Sequence, residues 1–134
     1  MLKTPWCGLS EIAIGGWHDR CSYLDDVPYR LLEAVDHTNR TGMPSSVKFD
    51  AEGYKYIIVF DMWHVHIINN VNEFDEGWYY NTIDISIKDV IRDLIADIRK
   101  DIDGWSKWCS DSDYETEERK LDLRAWCDVI EKRL

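Results

Sequence analysis

The sequence predicts an α+β fold: an antiparallel β-meander of about four strands, helices packed on one face, and long helices toward the C-terminus. Strand-like runs rich in aromatic and β-branched residues follow one another from Val47 to Ile85 with no helical pattern between them, which argues against a parallel, doubly wound sheet. Before and after that stretch the apolar residues switch to spacings of three and four, the period of a helix with one buried face. The chain has 134 residues and no repeat, low-complexity tract or linker. Chains usually divide only above roughly 200 residues, so a single domain over 1–134 is expected.

Leu9 to Ile14 is the first expected strand, ended by Gly15-Gly16. A helix should start at Asp25-Asp26, with Pro28 in its first turn and Leu31, Leu32 and Val35 as its buried stripe. Thr41-Gly42-Met43-Pro44 should stop it. In the meander, Val47–Asp50 and Tyr54–Phe60 flank the turn Asp50-Ala51-Glu52-Gly53. Met62–Ile68 and Trp78–Ile85 follow, joined by a turn at Asn69–Asn72 and a polar loop at Glu73–Gly77. Ser86 and Asp89 form a capping box, after which Ile87, Ile91, Leu94, Ile98, Ile102 and Trp105 build one apolar face, with a bend expected at Gly104. The last helix should run from about Thr116 to Leu134, with Leu123, Trp126, Ile130 and Leu134 facing inward.

Charge narrows the function. Asp and Glu number 26 against 16 Lys and Arg, a formal net charge of −10. Direct binding to a nucleic-acid backbone needs the opposite excess, and so does docking on an anionic membrane. Cationic proteins or metal ions remain as partners. There is no signal-peptide pattern and no apolar run long enough to span a bilayer, so a cytoplasmic protein is expected. Cys7, Cys21, Cys109 and Cys127 form no C-x-x-C and are expected to stay reduced.

Motifs for catalysis are weak. No nucleophile elbow or phosphate-cradling glycine loop is present, and the adjacency of His18, Asp19 and Cys21 says little, because catalytic groups meet in space. Asp111-Ser112-Asp113-Tyr114-Glu115 starts like a calcium loop but lacks the glycine at the sixth position. His64 and His66, two apart on a strand, share a face, and Asp61 or Glu52 is near enough in sequence to serve as a third metal ligand. Neither lies at a diagnostic spacing, so the expected reading is a half-exposed face opposite a core of Trp63, Val65 and Ile67, with no metal and no cofactor.

The acids are more unusual. Asp89, Asp93, Asp97 and Asp101 recur every four residues, a stripe that winds about 40° per step around the helix. Like charges at that spacing cost a helix about 0.2–0.5 kcal/mol each. A second run, with Asp111, Asp113 and Glu115, is flanked by Trp105, Trp108 and Tyr114, while Trp78 follows Glu76. Aromatic side chains bordered by acids have the composition of an interface anchor with an anionic rim. The residues expected to bind a partner are therefore Asp89, Asp93, Asp97, Asp101, Asp111, Asp113, Glu115, Trp78 and Trp108.

After the aromatic-rich meander, Ile85-Ser86-Ile87-Lys88-Asp89-Val90-Ile91-Arg92-Asp93-Leu94 opens a long helix. It ends in Trp105-Ser106-Lys107-Trp108, an acidic loop and a charged terminal helix. In this arrangement, over about the last 80 residues, the chain resembles the small cytoplasmic immunity proteins that bacteria pair with polymorphic or contact-dependent growth-inhibition toxins. The resemblance implies a non-enzymatic inhibitor that binds and neutralises a cognate basic protein toxin, often a nuclease. It carries over no functional residue. A phage anti-defence protein that mimics nucleic-acid charge would have a similar composition, and a small metal-dependent enzyme centred on His64 and His66 is the alternative from a different class.

Overall fold

The computed structural model describes residues 1–70 and 79–134. Its fold is α+β, with a two-stranded hairpin, a four-stranded antiparallel meander and four helices. The hairpin pairs β1 (Leu9–Ile14) with β2 (Trp17–Ser22) across the Gly15-Gly16 turn. Sequence pattern did not reveal β2: Trp17-His18-Asp19-Arg20-Cys21-Ser22 is mostly polar, and only Cys21 and Ser22 are fully buried. Helix α1 (Val27–Thr41) ends where Gly42 takes a left-handed conformation at φ 73° and its N–H reaches the Thr38 carbonyl at 2.8 Å. A residue with a Cβ adopts that φ at a cost, hence the glycine.

The meander runs β3 (Ser45–Asp50), β4 (Lys55–Phe60), β5 (His64–Asn70) and β6 (Tyr79–Asp84), each pairing with the next. Alternation decides its faces. Val47, Phe49, Tyr56, Ile58, Phe60, Val65 and Ile67 point into the core, while His64, His66 and Ile68 lie half-buried on the other side. Trp63 departs from the sequence reading, at 68% exposed rather than core. The Asp61 carboxylate accepts the Trp63 and His64 amides at 2.8 and 2.6 Å, and this turn places Trp63 before the strand begins.

The helical layer covers the inner face. Helix α2 (Ile87–Lys100) starts at the Ser86 cap, whose hydroxyl accepts the Asp89 amide, and buries Ile87, Val90, Ile91, Leu94, Ile95 and Ile98. The expected bend at Gly104 falls three residues earlier. Asp101 closes α2 and caps α3 (Ile102–Lys107) by accepting the Gly104 amide at 3.1 Å. Helix α4 (Asp113–Lys132) starts three residues earlier than its apolar spacing suggests, because Ser112 caps it through the Glu115 amide.

Long-range polar contacts lock the layers. Buried Asp36 on α1 accepts both Arg40, at 2.9 Å, and Arg133, at 2.7 and 2.8 Å. Arg119 grips Asp26 bidentately, at 2.9 and 3.0 Å, with its guanidinium 4.7 Å from the Tyr29 ring centre. The two ends of the helical layer are thus clamped to α1.

Candidate functional site

The residues expected to bind a partner do not form one surface. Within the α2 stripe only Asp93 is exposed with no structural role. Asp89 accepts Ser86 and Arg92, while Asp97 accepts the Leu2 amide at 2.8 Å and the amine of Met1. Asp101 is the shared cap between α2 and α3. The helix tolerates this spacing of like charges because three of the four carboxylates satisfy donors of their own.

The second acidic run is partly structural as well. Asp113 and Glu115 sit in the first turn of α4, at its positive end, and Glu115 also accepts the Asp111 amide at 3.1 Å. Asp111 and Asp113 remain exposed. Trp108 is core rather than the expected anchor: at 4% exposure it packs tilted against Trp105 and its Nε1–H donates to the Asp25 carbonyl at 2.8 Å. Trp78, with Glu73, Asp75 and Glu76, lies outside the described residues.

Two exposed aromatic side chains, Trp6 and Tyr23, meet at one groove near the N-terminus, while Trp63, Tyr80 and Tyr114 are exposed elsewhere. Trp6 is 79% exposed and Tyr23 57%. They border a groove of about 390 Å³ that also touches Pro5, Cys7, Lys107 and Asp111. Trp6 is held by paired backbone hydrogen bonds with Leu9, at 2.8 and 3.0 Å, and the Tyr23 amide donates to the Gly8 carbonyl at 2.9 Å. The loop before β1 thus carries an aromatic ring beside the acidic start of α4. In sequence, Trp6 has no acidic neighbour to single it out.

On the outer face of the meander, the turn before β5 brings Asp61 onto both histidines. One carboxylate oxygen lies 3.3 Å from His64 Nδ1 and the other 2.8 Å from His66 Nε2. The far nitrogens also have partners. His66 Nδ1 is 2.6 Å from the Tyr80 hydroxyl, and His64 Nε2 is 3.5 Å from an Asp84 oxygen. Register explains this, since β6 sets Asp84 opposite His64 and Thr82 opposite His66, with Tyr80 on the same face. Desolvation alone would raise the Asp61 carboxyl, but hydrogen bonds from His66 and from the Trp63 and His64 amides outweigh it and hold the group down at about 2. Glu52 sits in the β3–β4 turn, at the opposite end of β4.

No protein-family model matches this chain, and comparison with curated proteins and with solved structures found no match. Among the described residues no helix is long and apolar enough to cross a membrane.

Proposed function

We propose that this protein is an immunity-type inhibitor, a non-enzymatic acidic protein that binds a cognate basic protein toxin, such as a nuclease, and neutralises it. The observation that carries the reading is the pairing of exposed Trp6 and Tyr23 with Asp111 around one groove, in a chain of net charge −10. Acids on their own steer a cationic partner but bind it weakly and without selectivity. A large aromatic side chain that is desolvated on binding supplies the specific part of the energy. The groove offers both kinds of group together, whereas the α2 stripe offers only Asp93 free of structural duty.

The test is co-expression with the product of the gene immediately upstream, followed by binding kinetics at several salt concentrations. Wild-type protein should protect cells from that product. Trp6→Ala should speed dissociation at least tenfold, the size expected of an interface anchor. Asp111→Lys with Asp113→Lys should slow association and flatten its salt dependence. Protection that survives both variants, with unchanged rates, would retire this groove as the binding surface. A harmless upstream product would retire the inhibitor reading itself.

A further inference from the structure

Away from that groove, the geometry points to a site for one borderline divalent transition cation, of the zinc, cobalt, nickel or copper class, on Asp61, His64 and His66. The three residues offer one ligand atom each within 4.8 Å of one another. Nitrogen and oxygen donors bound at about 2.0–2.2 Å in tetrahedral geometry sit about 3.4 Å apart, so small side-chain rotations would close the set around an ion. Sequence leaves Asp61 and Glu52 both open as the third ligand, neither at a diagnostic spacing. Folding supplies it, because the turn that ends β4 points the Asp61 carboxylate back along β5.

The outer partners of the two rings strengthen the inference. A ligating histidine normally donates its second N–H to an acceptor, which fixes the ring and directs a lone pair at the ion. His66 has such a partner on the side away from Asp61, the Tyr80 hydroxyl, while His64 has only a solvent-exposed Asp84 oxygen 3.5 Å away. The His66 ring is therefore oriented from outside, and both rings turn their inner nitrogen to the carboxylate. Two imidazoles and one carboxylate suit borderline cations better than calcium or magnesium, which prefer oxygen ligands alone. All three side chains are half-buried, so the remaining coordination positions open to water. The net charge of −10 also favours cation capture over anion capture.

The experiment is a titration of untagged full-length protein with Co²⁺, followed by its visible absorption bands and then displacement with Zn²⁺. Wild type should take up one equivalent that Zn²⁺ displaces. His64→Gln and His66→Gln should each weaken Co²⁺ binding at least tenfold. Tyr80→Phe should weaken it about tenfold with the stoichiometry still one, as expected for loss of an outer partner. His37→Gln, an exposed position on α1, should bind as wild type does. Circular dichroism confirms the fold of each variant. Paramagnetic shifts of the His64 and His66 ring protons in the wild type give a readout that needs no variant. Superimposable titrations of wild type and the His64→Gln/His66→Gln protein, no saturable binding below about 1 mM, or ring protons unmoved by Co²⁺ would each overturn the site.

Discussion

Truncating Leu94 to alanine tests the placement of the α2 core face. Leu94 is fully buried at the middle of α2, between Ile91 and Ile98 on the same face. The change removes three carbons, a transfer loss of about 2.4 kcal/mol at about 0.8 kcal/mol per buried methylene. If the neighbours leave about 50–100 Å³ unfilled, the cavity adds about 1–2.4 kcal/mol at about 24 cal/mol per Å³. The total of about 3–5 kcal/mol is a large part of the 5–15 kcal/mol typical of a domain. At about 1.5 kcal/mol per M of urea, the denaturation midpoint should fall by about 2–3 M. The reference is Leu121→Ala on exposed α4 surface, where the expected change is below about 0.5 kcal/mol. Urea melts of both variants by circular dichroism decide the matter. If Leu94→Ala moves the midpoint no further than Leu121→Ala does, the packing described for α2 is wrong.

Asp97→Asn should cost about 1.5–3 kcal/mol because it weakens charge-assisted bonds to the Leu2 amide and the Met1 amine, while Asp93→Asn should change stability by less than about 0.5 kcal/mol. Thermal melts of the two proteins check this, and equal shifts would dismiss the Asp97 anchor. Iodoacetamide at pH 8 should label exposed Cys7 first and Cys109 more slowly in the native protein, since partial burial pushes the Cys109 thiol up, with all four thiols labelled in denaturant. Burial pushes the Cys21 thiol up to about 12 and that of Cys127 to about 11, which keeps both from forming thiolate. Mass spectrometry that finds Cys21 labelled as fast as Cys7 would contradict that burial.

The helices were legible in the sequence because their signals are local. The Ser86–Asp89 cap, the Ile and Leu spacing of α2 and the Gly42 stop each depend on residues within one or two turns. The four strands of the meander were legible for a similar reason, since local runs of aromatic and β-branched residues mark them, and on β3, β4 and β5 alternation also fits the buried face. What escaped depends on partners far along the chain. Strand β2 is polar because it lies in a hairpin whose Asp19 meets Tyr54 and whose Arg20 reaches the Ala51 carbonyl. Trp108 resembles an anchor beside acids until its indole N–H is seen to reach Asp25, 83 positions away. The Asp spacing on α2 suggests one exposed stripe, but the donors that occupy Asp97 come from Met1 and Leu2, and Asp101 falls beyond the helix as its cap. Asp61 is near enough in sequence to be a ligand, but only the folded turn sets it between the two rings.

The clamp on Asp36 bears on how the protein is made. Its carboxylate is buried between Arg40, four positions on, and Arg133, 97 positions downstream. Ribosomes add about 5–20 residues per second, so a nascent Asp36 waits about 5–20 s for the Arg133 guanidinium. Asp26 waits nearly as long for Arg119, 93 positions on. The meander, α1 and α2 have all been translated by then, and only α4 is incomplete. Helix α1 thus leaves the ribosome before either clamp can close, and its packing is completed only when α4 arrives.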